Sequence, residues 1–511
     1  MILIKRIGPT PLLPLLLALA SGCHRGEEHG FPRSFLMGTA IAGFQVDMGC
    51  PTLPAAKCDD PNSDWYTWVT DPALVHDSKL FITDQPPGAG PGFAELYAQD
   101  LDRAANELHS NALRLSIEWS RVFPSSTVGV EGNDALGRIA NPAALAYYHS
   151  VFAAMEARGL TPFVTLNHYT LPGWIHDAKG CHADLDHCSP RGWVDRDSTV
   201  HEAAKYAGFV AHEFGGEVDL WATLNEPFTA IVLSGYLAQT ASRSNPPGVS
   251  LRWTEAKIVL GALEQAHAAM YDAVKASDLI AADGGSTPAR VGLVYNIQAS
   301  SPRDPKKPHD VQSAKDLSYL MNQVFLNAVI KGDVDEKLDG TLVHHPELAS
   351  RMDFLGVNYY VRARVEGLGG SLAPTQTPYL TFDPTAVELD ATDPTGMIDA
   401  LALAKGYGVP LYISETGTFD PDDKGTAAQW IGATLTYVQR AMAAGADVRG
   451  YFYWTLMDNY EWNHAMSLRF GIYSVDANDP AKARRGRPLA LSALARASQA
   501  HAVPADLAPS P

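Results

Sequence analysis

Short apolar runs, rich in β-branched and aromatic residues, alternate along the chain with longer stretches rich in Ala, Leu and Glu. The short runs predict strands and the longer stretches predict helices. Eight strands are predicted, at 35–41, 112–117, 162–166, 218–223, 291–296, 354–358, 411–414 and 450–454. The helical stretches are 94–109, 142–158, 202–214, 254–276 and 427–444. Strands that alternate with helices are typical of parallel βα units, so the sequence predicts an α/β fold, a (β/α)8 TIM barrel.

The chain has 511 residues, and barrels with loop insertions often exceed ~400 residues as a single domain. Long Gly/Pro-rich loops follow the first, third and sixth predicted strands, at 48–92, 176–198 and 361–394. They would either shape access to a site or be poorly ordered insertions, and the sequence favours neither. We predict one barrel domain over 31–500, followed by an Ala/Pro-rich tail over 501–511 that frays.

Composition and charge narrow the classes of partner. Hydrophobic residues make up 46% of the chain and charged residues 19%, as in an ordinary globular protein. Fifty-seven acidic residues against 39 basic ones give a net charge of −18, which argues against nucleic acid and anionic membrane surfaces as partners. The basic cluster Lys482, Arg484, Arg485 and Arg487 is predicted to be a solvated surface run.

The first residues predict export. Lys5 and Arg6 precede an apolar run at 12–20 that is too short to span a membrane. This arrangement is typical of a signal peptide, which we place at 1–22.

The end of that segment resembles the lipobox of bacterial lipoproteins, in which a cysteine is lipidated and becomes the new N-terminus. The matching residues are Leu-Ala-Ser-Gly-Cys at 19–23. We therefore predict a lipidated Cys23, a short linker at 23–30, and a periplasmic or cell-surface lipoprotein that meets the membrane only through this anchor. Ordinary signal peptidase cleavage after Ala-Leu-Ala at 18–20, which would give a secreted soluble protein, is the alternative.

Four cysteines remain once Cys23 is set aside, and an even number fits an oxidising compartment. Four cysteines allow three pairings, and the short spacings favour the local bridges Cys50–Cys58 and Cys181–Cys188. The second pair encloses two His and two Asp residues, a mixture that could instead ligate a metal. Because no established metal-ligand spacing accompanies it, we expect a disulfide-closed polar loop.

Polar or aromatic residues follow seven of the eight predicted strands, on the side where the active site of a barrel enzyme lies. They are Gln45, His168, Asn225, Glu226, Asn296, Tyr360, Glu415 and Trp454. One residue of this kind would mean little, since a Glu after a strand is usually exposed or caps a helix. The repetition around the barrel indicates a site.

Two of these residues, Glu226 and Glu415, follow non-adjacent strands and would face each other across the barrel mouth. Cleavage of a glycosidic bond needs such a pair, one carboxyl to protonate the leaving oxygen and one to meet the oxocarbenium-like carbon. The residues alone leave open whether the configuration is retained or inverted, because the sequence does not give their separation.

At these positions the chain resembles glycoside hydrolase family 1, the retaining β-glucosidase and β-galactosidase family. The most specific motif is Trp-Thr-Leu-Met-Asp-Asn-Tyr-Glu-Trp at 454–462, followed by Arg-Phe-Gly at 469–471. The other matching segments are 35–45, 114–121, 165–169, 225–227, 356–360 and 414–417. The resemblance covers nearly the whole mature chain.

The resemblance implies a two-step reaction through a covalent glycosyl-enzyme, with no cofactor or metal. Glu415 would be the nucleophile, ionised and held by Arg114 and Tyr360, which would depress its pKa. Glu226 would protonate the leaving oxygen and, once the charge of Glu415 is consumed, would deprotonate water. The remaining substrate-binding residues would be Gln45, His168, Asn225, Trp454, Glu461 and Trp462, to which the end of the fifth strand adds Asn296.

The resemblance also implies a substrate class. Relatives that act on phosphorylated sugars lack a Glu at the position of Glu461, so an unphosphorylated glycone is implied. Terminal β-D-glucosides are the leading substrates, as small glycosides or oligosaccharides, with β-D-galactosides or β-D-fucosides as further ones. A transglycosylase that uses the same intermediate is one alternative. A catalytically weak carbohydrate-binding relative is another, although such proteins usually lose one carboxylate and this chain keeps both.

Four departures from the family pattern leave the preferred sugar open. Thr416 replaces the usual Asn after the nucleophile, and Tyr169 replaces the usual Trp after His168. Asp47 replaces a Glu near the first strand, and Ala-Met at 465–466 replaces a Gly-aromatic pair. None of them removes a catalytic carboxylate.

Overall fold

The structure is a computed structural model that describes residues 30–240 and 243–509. The predicted signal peptide at 1–22, the predicted lipidation site Cys23 and all of the predicted 23–30 linker except Gly30 therefore lie outside the described residues.

Eight parallel strands close into a barrel in chain order. Closure is made by the first and last strands, where Leu36 lies opposite Gly450. The predicted TIM barrel is thus confirmed, and its strands are β1 Leu36–Ala40, β2 Ala112–Ser116, β3 Thr161–Asn167, β4 Leu220–Asn225, β5 Arg290–Asn296, β6 Phe354–Tyr359, β7 Leu411–Thr416 and β8 Val448–Trp454.

The five predicted helices are present. The long helices are α1 Phe93–Asp102, α2 Pro142–Glu156, α3 Arg196–Phe214, α4 Trp253–Ser277, α5 Pro308–Ser318, α6 Gly396–Lys405, α7 Thr426–Ala443 and α8 Pro488–Ala500. Helix α3 begins at Arg196, whereas the predicted start is residue 202. The predicted start is too late because the first turn of the helix is polar and carries no apolar pattern. For the same reason the polar helix α5 was not predicted; α6 and α8 were also missed.

Shorter elements fill the loops. The short α-helices are Gly43–Val46, Ala55–Cys58, Asp64–Thr70, Pro72–Val75, Trp119–Val122, Asn133–Gly137, Ala178–Ala183 and Val324–Leu326. The π-helical segments are Arg103–Glu107, Pro227–Leu237, Tyr319–Gln323 and Asn327–Lys331. In a three-stranded sheet outside the barrel, the central strand Arg362–Val365 pairs with Ala299–Pro302 on one side and with Glu388–Asp390 on the other. The other short strands pair as Asp333–Val334 with Val343–His344 and Tyr473–Val475 with Arg484–Gly486.

An aromatic cluster fills the barrel interior. The ring of Phe163 lies 5.4 Å from that of Phe354, 5.5 Å from that of Phe452 and 5.8 Å from that of Tyr412. The guanidinium of Arg114 lies over Phe163, 5.7 Å from the ring centre. The apolar core therefore forms a floor on which a buried cation rests.

The long loops are structured parts of the face at the carboxyl ends of the strands. In the loop after β1, Trp65 and Trp68 are buried in the main core. In the loop after β6, Arg362–Val365 and Glu388–Asp390 belong to a three-stranded sheet. Of the two expectations for these loops, the observed structure contradicts poorly ordered insertions.

Both expected disulfides are present, Cys50–Cys58 and Cys181–Cys188. Because Cys181 and Cys188 are bonded to each other, their thiolates are not available to a metal. Within 30–240 and 243–509, no group of three or more His, Cys, Asp or Glu residues is placed to hold a metal ion. No helix in the same ranges combines the length and apolar character needed to cross a membrane.

The prediction of a solvated basic run is wrong for three of its four members. Arg484 and Asp100 form an ion pair whose side chains are each 1% exposed. Arg487 is buried against Asp458, and the Lys482 ammonium donates to three backbone carbonyls. Only Arg485 of this cluster is exposed.

The tail also differs from expectation. Val503 and Leu507 pack against the main core, and Arg496 of α8 pairs with Asp506. The tail is therefore docked on the barrel as far as Leu507.

Candidate active site

Local irregularities in the barrel set the direction of the two central carboxylates. The pairing of β4 with β5 shifts between Ala222 and Asn225, and that of β6 with β7 shifts between Ile413 and Glu415. Such irregularities re-aim side chains next to functional sites. Glu226 follows directly with φ 45° and ψ 48°, in the left-handed region, a conformation that costs on the order of 1 kcal/mol or more for a residue with a side chain.

Glu415 is held on both oxygens. The guanidinium of Arg114 hydrogen-bonds Oε1, and the Tyr360 hydroxyl donates to Oε2 at 2.7 Å. Burial raises the pKa of Glu415 to about 7, and the charge of Glu226 acts in the same direction, while Arg114 and Tyr360 lower the pKa. The two neighbours thus lower the pKa of Glu415 as expected, but removal from water outweighs them, so the net shift is upward and not the expected downward one.

Glu226 is 1% exposed and accepts four hydrogen bonds. Asn358 and Asn296 donate side-chain N–H groups to Oε1, at 2.9 and 3.3 Å. The Tyr169 hydroxyl and Arg243 Nη1 donate to Oε2, at 2.9 and 3.2 Å. The carboxyl group is thus fixed in orientation by donors from four different parts of the chain.

Asn225 links the two carboxylates and fixes the tautomer of His168. Asn225 Oδ1 accepts from Arg114 at 2.7 Å and from Asn358 at 3.3 Å, so its amide nitrogen faces His168 Nε2 at 3.3 Å. Nε2 must then accept, and the hydrogen lies on Nδ1. Burial holds the pKa of His168 well below its ordinary value, so the ring is neutral. Its Nδ1 has no hydrogen-bond partner among the described residues and can donate to a ligand.

A third carboxylate, Glu461, lies among amides. It accepts from Gln45 Nε2 at 3.1 Å, from Asn459 Nδ2 at 2.9 Å, and from the indole of Trp454. Burial raises the pKa of Glu461. Gln45 Oε1 is buried and makes no hydrogen bond within the described ranges. The hydrogen-bond donors to this carboxylate are neutral groups that can bond several hydroxyls at once, and the charges of Arg243 and His464 also act on it.

Aromatic rings form the wall of this pocket. The rings of Trp454 and Trp462 lie 6.0 and 5.9 Å from that of His168 and within 16° of its plane. Trp462 also stacks on Phe44 at 5.8 Å and contacts Trp65 at 4.5 Å. Trp462 therefore belongs both to the core and to the edge of the site.

All the residues that the sequence proposes for catalysis and substrate binding lie in this one network. They are Gln45, Arg114, His168, Asn225, Glu226, Asn296, Tyr360, Glu415, Trp454, Glu461 and Trp462.

Four further residues contact the carboxylates and were not proposed. Asn358 and Asn459 lie inside the matching segments 356–360 and 454–462, which was a usable signal. Tyr169 was noted only as a departure from the family pattern. Arg243 lies 17 residues beyond Glu226 in a loop, where no sequence pattern points to it.

Comparison with known proteins agrees with this geometry. The model of glycosyl hydrolase family 1 matches residues 27–491. A β-galactosidase of Pyrococcus woesei is 34% identical, over 87% of this chain and 93% of its own length. One of Sulfolobus acidocaldarius is 31% identical, over 87% and 91%. The crystal structure of the β-glycosidase from Thermosphaera aggregans superposes with a TM-score of 0.78 and 27% identity, over 94% of this chain and 98% of that one.

Proposed function

Because the chain belongs to glycosyl hydrolase family 1, we propose that it removes the terminal, unphosphorylated sugar of β-D-glucosides, with β-D-galactosides and β-D-fucosides as further substrates. The family is one of retaining O-glycosyl hydrolases. The observation that carries the proposal is the separate support of two buried carboxyls, Glu415 by Arg114 and Tyr360 and Glu226 by two asparagines and a tyrosine.

In the first step, a Glu415 oxygen attacks the anomeric carbon as the bond to the aglycone breaks, and Glu226 gives its proton to the leaving oxygen. Arg114 and Tyr360 orient the nucleophile by bonding its two oxygens. The ester that forms no longer carries the negative charge of Glu415. In the second step Glu226 takes a proton from water, which attacks the same carbon and releases Glu415.

The free polar atoms of the pocket fit a polyhydroxylated ring. His168 Nδ1 can donate to one hydroxyl and Gln45 Oε1 can accept from another. Asn225, held between Arg114 and His168, would bond the 2-hydroxyl, a contact that strengthens in the transition state.

Glu461 favours a neutral sugar. A phosphate in this pocket would meet a buried carboxylate whose three donors are already neutral amide or indole groups. Repulsion between like charges is strong where water is excluded. An unphosphorylated glycone supplies hydroxyl donors instead.

The test is to incubate the protein with a 2-deoxy-2-fluoro-β-glucoside and to locate the label by peptide mass spectrometry. The fluorine slows both steps, and a dinitrophenolate leaving group on this glucoside speeds the first step, so that the covalent ester accumulates. We expect the label on Glu415. A label on another residue, or none while an aryl β-glucoside is turned over, would contradict the assignment.

We also propose that the protein is exported and anchored by a lipid on Cys23, in the periplasm or at the cell surface. Two disulfides support an oxidising compartment. In Cys23→Ala the lipid should be lost and the protein should leave the membrane fraction. Continued partition into membranes by the variant, or a mature N-terminus at Ser21 in the natural chain, would contradict the anchor and support a secreted soluble protein.

A further inference from the structure

Arg243 has no part in the chemistry above, although it touches the acid/base carboxyl. Its Nη1 lies 3.2 Å from Glu226 Oε2 and 3.4 Å from the Tyr169 hydroxyl, and its guanidinium carbon is 5.9 Å from the centre of the Tyr169 ring. The Trp that usually follows the site His has no hydroxyl to join this cluster. The arrangement therefore depends on a residue in which this chain departs from its family.

The cluster lies on the leaving-group side of the reacting bond. Glu226 must reach the glycosidic oxygen, which carries the aglycone, whereas Glu415 attacks from the opposite face. Within the described ranges Arg243 bonds Glu226 and makes no hydrogen bond to Glu415. Its side chain is 32% exposed, whereas that of Arg114 is fully buried. Arg243 therefore faces the opening through which an aglycone would enter.

Several N–H groups of the Arg243 guanidinium are available to a ligand. Of its five N–H groups, only those on Nη1 bond the protein, to Glu226 and Tyr169. Nε and Nη2 make no hydrogen bond with any residue of the part that the structure describes. These two nitrogens form one edge of the guanidinium, the edge that binds a carboxylate in a bidentate manner.

Protonation of Glu226 removes the ion-pair partner of Arg243 and leaves Glu461 as the other buried carboxylate whose charge acts on it. When Glu226 acts as the acid it carries a proton, and a neutral carboxyl no longer balances the charge of Arg243 beside it. An anionic group on the substrate would supply the missing charge at that moment.

We propose, on the basis of the function proposed above, that Arg243 binds a carboxylate on the aglycone, so that the preferred substrates are β-glycosides of an acidic aglycone such as a phenolic acid or a sugar acid. The pocket is expected to accept a substrate carboxylate on the aglycone side only. On the glycone side Glu461 repels it, and on the aglycone side Arg243 attracts it. The two ends of the pocket thus discriminate in opposite directions.

The test compares two matched substrates, para-carboxyphenyl β-D-glucoside and para-carbamoylphenyl β-D-glucoside, in the natural protein and in Arg243→Met. The amide has nearly the shape of the carboxylate but no charge. The quantity compared is kcat/KM for the carboxylate substrate divided by kcat/KM for the amide substrate. This ratio should be about tenfold lower in Arg243→Met than in the natural protein, the size expected for one partly exposed charged contact. Comparing ratios removes the intrinsic difference between the two leaving groups. Rising salt should lower the ratio in the natural protein and leave it unchanged in Arg243→Met.

Two variants separate charge recognition from positioning of Glu226. Arg243→Lys should keep most of the preference, because the cation is retained. Asn296→Ala removes a donor to the other Glu226 oxygen without a contact to Arg243, and it should slow both substrates equally, with no change in the ratio. An equal loss on both substrates in Arg243→Met would overturn the proposal and make Arg243 a positioning residue. Failure of the natural protein to cleave either glucoside would instead contradict the proposed function.

Discussion

Two regions of this molecule hold buried charges that are arranged differently. Near the C-terminal part of the chain, each buried aspartate is matched by an arginine that bonds both of its oxygens, Asp458 by Arg487 and Asp100 by Arg484. In the catalytic pocket, three carboxylates face a single fully buried cation, Arg114.

The difference shows how one fold uses buried charge for two purposes. Complete pairing gives ions that are costly to separate and chemically inert. In the pocket, burial outweighs the one fully buried cation and raises the pKa of Glu415 to about 7, so that this carboxyl titrates near neutral pH. Four variants test this contrast.

The largest effect is expected for Glu415→Gln. The amide keeps the size of the side chain but cannot attack the anomeric carbon, so kcat should fall by a factor on the order of 10⁴ or more. The measurement is turnover of an aryl β-glucoside, with unfolding followed in parallel to show that the fold is intact. In Glu415→Ala, added azide should restore turnover and give an α-glycosyl azide. A β-glycosyl azide would contradict the role of Glu415 as nucleophile.

The next largest effect is expected for Arg487→Met, which leaves Asp458 buried without its partner. Losing one member of a buried pair should lower the free energy of unfolding by about 3–5 kcal/mol, measured by urea denaturation. Arg485→Met is the matched control two residues away, and because Arg485 is exposed it should change the stability by less than about 0.5 kcal/mol. Equal changes in the free energy of unfolding for the two substitutions would show that the Arg487–Asp458 ion pair does not stabilise the fold.

A smaller effect, a shift in the pH dependence of kcat/KM, is expected for Glu226→Gln. The substrate is dinitrophenyl β-glucoside, whose leaving group needs no acid. With a pKa of about 7, Glu415 is protonated and inactive at lower pH, so kcat/KM of the natural protein should fall as the pH drops through about 7. The charge of Glu226 raises this pKa, so its removal should move the fall to lower pH. A fall at the same or a higher pH would contradict the coupling of the two carboxyls.

The smallest effect, again a shift in the pH dependence of kcat/KM, is expected for Tyr360→Phe. The hydroxyl of Tyr360 lowers the pKa of Glu415, so its loss should move the acid limb of kcat/KM to higher pH, the reverse of the previous variant. Tyr359→Phe is the neighbouring control, since its hydroxyl bonds the Asp393 carbonyl and not Glu415. A shift of the same size in both variants would mean that the hydrogen bond to Glu415 is not the cause.

The barrel and most of the site could be predicted from the sequence, because both depend on local signals. Parallel strands are buried on both faces and form short apolar runs, and functional residues come directly after them. Helices α3 and α5 were misjudged or missed where their turns are polar, since tertiary packing and not local pattern forms them there.

Long-range partners account for the other errors. Arg484 resembles a solvated residue until Asp100, 384 positions away, is brought against it by folding. Arg243 reaches Glu226 from a loop without any motif. The pKa of Glu415 is the sum of opposing effects of burial and charge, and its direction depends on how completely water is excluded.

The seam between β1 and β8 has a consequence for how the protein is made. Strand β1 is among the first parts of the barrel to be synthesised, but one of its edges stays unpaired until β8 has been added more than four hundred residues later. The same seam joins Gln45 to Glu461 and to the backbone of Tyr460. A nascent chain that stops short of β8 therefore has no complete sugar pocket, and catalytic activity reports that translation has reached the end of the barrel.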